Sequence, residues 1–177
     1  LDSRAVAKNF FFAAIKGTQV DVHKFIDKAI DLGATSILCE NLPNNIRKGI
    51  TYITCLDASL ALGQIASAFY EHPSKEMKVI AVTGTNGKTS VTTVLKNAFT
   101  SLGYKVGIIS TVKNEIGSEI IPATHTTPNS VSLQSLFSQM AKSGSDYVFM
   151  EASSHAIHQI RIAGVDFDGA IFTILSI

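Results

Sequence analysis

The chain has 177 residues, of which 46% are apolar and 16% charged, with a formal charge of +1. That apolar content can bury a core and excludes a disordered tail, and the scattered Lys and Arg form no basic stripe of the kind a nucleic-acid surface needs. No apolar run reaches the length of a membrane span, no signal peptide is visible, and Cys39 and Cys55 read as two buried thiols of a reducing compartment, the cytoplasm, not as a disulfide or a metal pair.

In chain order, NFFFAAI reads as a buried strand. HKFIDKAIDLG reads as a short helix with Phe25, Ile26, Ala29 and Ile30 on one face and Gly33 as its stop. ATSILCE and TYITC are further strands; Asp57 then caps a helix whose Leu60, Leu62, Ile65, Ala66 and Phe69 recur at helical spacing. The polar run EHPSKEMK is the expected linker. Beyond it come a strand KVIAV, a glycine-rich loop, a helix from about Lys88 to Leu102 closed by Gly103, and a strand KVGII. That βαβ order implies a parallel sheet with a right-handed crossover. KNEIGSEIIP predicts a hairpin around Gly117, SVSLQSLFSQMAKSG a helix, and DYVFME and GAIFTIL two more buried strands. The fold class is therefore α/β: a small N-terminal α/β domain over 1–75, then a mostly parallel-sheet domain over 76–177. A start at Leu1 and a stop at Ile177 just after an apolar strand lead us to expect a fragment, with the second domain truncated.

The loop VTGTNGKTSVTT carries the chemistry. Glycines let successive backbone N–H groups converge on phosphate oxygens, and the following helix adds the positive end of its dipole. Gly87, Lys88 and Thr89 fit the G-x-x-x-x-G-K-[ST] pattern, but Val82 occupies the first glycine position and Gly84 lies two residues later. A bare strand-to-helix turn has no need of a lysine followed by two hydroxyls. In the phosphate-loop reading Lys88 reaches the β- and γ-phosphates and the Thr89 hydroxyl holds Mg²⁺. Glu151, at the carboxyl end of the DYVFME strand, is the second expected Mg²⁺ anchor, the alternative being an exposed strand-end carboxylate. His155 and His158 have helical spacing, yet Glu151 is the only further ligand nearby, so His155 reads as shaping a pocket and His158 as a surface or core residue.

TGTNGKT together with MEASSHAIHQIR resembles the Mur ligase family, and LDSR followed by FFFAAIKGTQVDVHKFIDKAIDLGA resembles the first domain of its members that act on UDP-N-acetylmuramoyl-L-alanyl-D-glutamate. The resemblance covers nearly the whole chain but only the first third to half of such an enzyme. It implies an ATP-dependent amide ligase of peptidoglycan precursor synthesis whose N-terminal domain holds the uridine nucleotide; the sequence leaves the oligomeric state open, with a monomer favoured. Carried over by position, Leu1, Ser3, Thr18, Gln19 and Val20 line the UDP end of the substrate pocket. Gly84, Thr85, Asn86, Gly87, Lys88, Thr89 and Ser90 hold the ATP phosphates. His125, Thr126 and Thr127 meet the muramoyl peptide from one side, and Ser153, Gln159 and Arg161 from the other. Arg161 suits an anionic substrate because its planar fork matches phosphate and carboxylate. The chain departs from the family at Val22, where glycine is usual, at His125, where asparagine is common, and at Ile174, where the family has asparagine. The carbamylated lysine, the second-metal histidine and the C-terminal domain of such enzymes would lie beyond Ile177.

The implied reaction activates the D-glutamate carboxylate of UDP-MurNAc-L-Ala-D-Glu as an acyl phosphate, which the amine of meso-diaminopimelate or L-lysine then attacks. Lys88 and Glu151 are the catalytic candidates, and the fragment alone is expected to be inactive. A nucleotide-binding switch or regulatory module would also explain the phosphate loop, but not LDSR, GTQ or SSHxxxQxR, and the N-K-x-D base-reading motif of GTP-binding proteins is absent.

Overall fold

The computed structural model describes residues 6–16, 22–123 and 125–175. Contacts divide the chain into two compact units, 1–62 and 63–177, each described by itself below.

The first unit is built on a three-stranded parallel sheet in the order β1 (Phe10–Ala14), β2 (Ala34–Cys39), β3 (Thr51–Thr54). Val22–Phe25 forms a 3₁₀ turn that leads into α1 (Ile26–Asp31). Ile26 and Ala29 of α1 pack with Phe12, Ala14, Ile37 and Cys39 in a closed apolar cluster. Phe25 does not join them: it belongs to the 3₁₀ turn, where the helical phase assumed for the HKFIDKAIDLG face is lost, and it is exposed. Gly33 has φ +106°, and a Cβ there would come within 2.9 Å of the Lys8 backbone, so the predicted helix stop is also a close approach. Burial pushes both thiols above their ordinary range. Cys39 is fully buried, whereas Cys55 lies just past β3 and is only half-buried.

Helix α2 (Ala58–Phe69) begins where expected, with the Asp57 carboxylate accepting from Leu60 N–H at 2.9 Å. Its buried stripe is Ala58, Leu62 and Ala66, while Leu60, Ile65 and Phe69 are exposed. Leu62 and Ala66 of the expected stripe are buried, so the period holds, and the stripe is rotated toward the small residues. Small residues set the phase, because Gly63 lies so close to residue 163 that an added Cβ would meet the Ala163 Cβ at 2.4 Å.

The second unit is a six-stranded sheet of β4 (Lys78–Thr83), β5 (Val106–Ile109), β6 (Lys113–Ile116), β7 (Glu119–Pro122), β8 (Tyr147–Glu151) and β9 (Gly169–Phe172), in the order β7-β6-β5-β8-β4-β9. The four strands from β5 to β9 are parallel, and the β6–β7 hairpin adds an antiparallel edge. Helix α3 (Lys88–Ser101) links β4 to β5, but β8 fills the place between those two strands. The stretch expected as a linker instead folds into a 3₁₀ turn, Pro73–Glu76, with Pro73 and Ser74 buried and the Ser74 hydroxyl accepting from Asp166 N–H.

Side chains of a strand alternate between faces, and β8 shows what each face meets. Val148 and Met150 enter the main core with Leu133, Leu136, Phe137 and Met140 of α4 (Ser130–Lys142). Tyr147 and Phe149 point the other way, onto Phe99 of α3, with ring centroids 4.7 and 5.2 Å apart. Glu151 continues the second series, so alternation delivers its carboxylate to the face on which α3 lies.

Candidate functional site

The phosphate loop leaves β4 at Thr83 and enters α3 at Lys88. Gly84 has φ +135°, and a Cβ there would sit 2.2 Å from Thr173 Oγ1; Gly87, with φ +82°, precedes the helix. Both glycines are therefore required by backbone conformation, and Gly84 also by the proximity of the chain beyond β9. That chain braces the loop. Thr85 donates to the Ile174 carbonyl from its N–H at 2.7 Å and from its hydroxyl at 2.9 Å, and Thr173 Oγ1 lies 2.6 Å from the Asn86 carbonyl. Lys88 folds back over the loop, its ammonium donating to the Gly84 carbonyl at 2.8 Å and the Thr85 carbonyl at 3.3 Å.

Strand register brings Glu151 to this loop, because Val82 and Glu151 are ladder partners at the carboxyl ends of β4 and β8. Glu151 is 0% exposed, which sets aside the exposed-carboxylate alternative. One carboxylate oxygen accepts from the Thr111 hydroxyl at 2.7 Å, and the other is buried without a hydrogen-bond partner among the described residues. Thr85 to Ser90, Thr111 and Glu151 line one cavity of about 280 Å³. A loop of converging N–H groups at a helix start suits phosphates, and a bare carboxylate oxygen with the Thr89 hydroxyl offers the hard donors Mg²⁺ prefers. The residues present thus fit a Mg²⁺–nucleotide. Among the described residues no group of three His, Cys, Asp or Glu is arranged to hold a metal, and His155 and His158 are exposed on α5 (Ser154–His158).

A second cluster adjoins the first. Thr126 Oγ1 lies 3.1 Å from Thr111 Oγ1. Thr127 is buried; its hydroxyl donates to the Glu151 carbonyl at 2.9 Å and accepts from Ser153 N–H at 3.1 Å. Ser153 caps α5, its hydroxyl accepting from Ala156 N–H. Arg161 donates to Gln159 Oε1 from Nε and Nη2 at 2.9 and 2.5 Å, and to the Thr127 carbonyl at 3.3 Å. Thr126, Thr127, Ser153, Gln159 and Arg161 therefore form one connected group beside the loop, with His125 exposed at its start. Leu1, Ser3, Thr18, Gln19 and Val20 lie outside the described residues. Sequence reasoning missed Thr111 and Thr173. Thr111 stands in no motif and Thr173 only in the closing FTILSI stretch, and strand order brings both to the loop.

The Mur ligase middle domain matches residues 82–177, and the Mur ligase family catalytic domain matches residues 1–70. The UDP-N-acetylmuramoyl-L-alanyl-D-glutamate–2,6-diaminopimelate ligase of Bacteroides fragilis is 50% identical over 176 residues, covering 99% of this chain and 36% of that protein. The ligase of the same name from Bacteroides thetaiotaomicron is 51% identical, with the same coverage. A solved structure of a UDP-N-acetylmuramoyl-L-alanyl-D-glutamate–2,6-diaminopimelate ligase superposes with a TM-score of 0.82 at 27% identity, over 99% of this chain and 36% of that one. The chain thus spans about a third of the length of the relatives it matches. With both domain matches in order and the phosphate loop at the start of the second, the chain belongs to the Mur ligase family.

Proposed function

We propose that this chain provides the UDP-substrate domain, about 1–75, and the ATP-binding domain, about 76–177, of a cytoplasmic ligase. The ligase joins a diamino acid to UDP-MurNAc-L-Ala-D-Glu in peptidoglycan precursor synthesis. The observation that carries the reading is the buried Glu151 carboxylate, with one bare oxygen, lining the same cavity as Lys88 and Thr89. The names of the similar ligases favour diaminopimelate over lysine as the added amino acid. No described helix is long and apolar enough to cross a membrane, which accords with water-borne substrates.

MgATP, when bound, would supply the phosphoryl group that turns the D-glutamate carboxylate into an acyl phosphate open to attack by the amine. The chain's own residues align and neutralise, as this chemistry requires. Gly84 to Ser90 wrap the phosphates. Lys88, already poised over the loop, exchanges carbonyl partners for phosphate oxygens and offsets their charge. The Thr89 hydroxyl and Glu151 hold the cation. Thr126, Thr127, Ser153, Gln159 and Arg161 orient the muramoyl peptide so that its carboxylate meets the transferring group, and Leu1, Ser3, Thr18, Gln19 and Val20 hold the uridine end.

The test is phosphate release by the product of the whole reading frame, with MgATP and UDP-MurNAc-L-Ala-D-Glu, adding meso-diaminopimelate or L-lysine separately. Release that needs the UDP substrate and one amino acid is the expected result. ATP hydrolysis indifferent to both would replace the ligase with a nucleotide switch.

A further inference from the structure

We propose that Thr111 is a positioning residue for the divalent cation: it fixes the Glu151 carboxylate through one oxygen and thereby leaves the other for the metal. The inference rests on the nucleotide reading of the loop and extends it to a residue outside every motif.

Thr111 sits two residues past the end of β5, Glu151 ends β8, and β5 pairs with β8 through Ile109 and Met150. Adjacent parallel strands therefore carry both side chains to the same rim of the sheet. The Thr111 hydroxyl is 2.7 Å from Glu151 Oε2, while Oε1 is buried with no partner among the described residues. A buried carboxylate oxygen without a donor is costly and calls for an explanation. A cation supplies it, since Glu151 lines one cavity with Thr89 and the phosphate loop. The direction of the hydrogen bond also follows. An ionised carboxylate only accepts, so the single Thr111 proton goes to Glu151. The Thr126 hydroxyl lies 3.1 Å from the Thr111 hydroxyl, beside this bond. Thr111 thus orients Glu151 through Oε2. The residue after Thr126, Thr127, holds the Glu151 main chain by donating to its carbonyl at 2.9 Å. The carboxylate is gripped at its backbone and at one oxygen, which leaves the other oxygen in a single place. Such outer partners of a metal ligand set affinity, and their loss weakens metal binding by about 10- to 100-fold.

The experiment uses the product of the whole reading frame with a non-hydrolysable ATP analogue and Mn²⁺ as the probe, reading protein-bound Mn²⁺ by electron paramagnetic resonance against a protein-free mixture of Mn²⁺ and the analogue, which itself chelates the ion. Thr111→Val keeps the shape and removes the proton; Thr111→Ser keeps the proton. Thr111→Val strips the buried Glu151 carboxylate of its described donor, so its metal-free thermal midpoint should fall below the parent's while that of Thr111→Ser matches it, and Mn²⁺ binding is read well below both midpoints. The expected result is nucleotide-dependent Mn²⁺ binding weakened about 10- to 100-fold in Thr111→Val and largely restored in Thr111→Ser. Parent-like Mn²⁺ affinity in Thr111→Val, or no recovery in Thr111→Ser, overturns the assignment of Thr111 while leaving the nucleotide site standing. A parent enzyme that, above the protein-free baseline, binds Mn²⁺ no better with nucleotide than without overturns the nucleotide reading, and this inference with it.

Discussion

The hydroxyl of Thr173 lies 2.6 Å from the carbonyl oxygen of Asn86, so the phosphate loop is held from the strand beside it as well as by its own turn. Gly84 is the residue that lets the two segments come so close, because any Cβ there would collide with Thr173 Oγ1. Gly84→Ala should therefore lose about 2 kcal/mol or more of stability from backbone strain and overpacking together, and most of its nucleotide affinity. Denaturant unfolding and titration calorimetry with an ATP analogue measure both. Undiminished affinity would show that the loop does not need this close approach.

Lys88 leans on two loop carbonyls and, among the described residues, has no acidic partner. Lys88→Ala should leave stability within about 1 kcal/mol of the parent, the net worth of such hydrogen bonds. The complete enzyme carrying it should lose turnover. Normal turnover would remove Lys88 from the phosphate site.

Glu115 on β6 is almost fully buried between Lys96 of α3 and Lys113, whose ammonium is 2.7 Å away. Burial alone would push its carboxyl up, but the hydrogen bonds from Lys113 and Lys96 outweigh it and hold the group below its ordinary value. A folded-state value below the unfolded one stabilises the protein above the unfolded value of about 4.5, and the gain fades as pH falls through the folded one. Glu115→Gln should thus cost about 1–3 kcal/mol at pH 7, with the gap to the parent closing in acid. A gap that stays constant from pH 7 to pH 3 would mean that charge pairing contributes nothing.

Arg161 presents two donors to Gln159 Oε1 and a third to the Thr127 carbonyl, a fork that lysine cannot reproduce. In the complete enzyme Arg161→Lys should raise KM for the UDP-linked peptide by about tenfold, as loss of a charged hydrogen bond does, with KM for ATP little changed. Steady-state kinetics in each substrate separate the two. A rise confined to ATP would move Arg161 to the nucleotide side.

Most of the elements were legible because their periods are strong and their ends are marked. The loop, the α3 and α4 boundaries, the Gly117 hairpin and the Asp57 cap all followed from local rules. What the sequence hid was non-local. Nothing in KVIAV or KVGII says that β8, from far along the chain, will lie between them. Without that insertion Thr111 has no reason to meet Glu151. Phase was hidden too. The large side chains Leu60, Ile65 and Phe69 dominated the reading of α2, yet the helix buries Ala58, Leu62 and Ala66 and lays Gly63 against residue 163. A Glu at a strand end was recognisable as a ligand candidate, but its complete burial depended on the same unseen neighbour.

The bracing of the loop by residue 174 runs through main-chain atoms alone: the carbonyl accepts twice from Thr85, while the isoleucine side chain itself is exposed. A mutational scan of side chains would score this position as nearly silent. The position constrains the geometry of the chain and not its spelling, so its contribution would surface only when the peptide linkage itself is altered, as in an amide-to-ester exchange that weakens the 174 carbonyl as an acceptor.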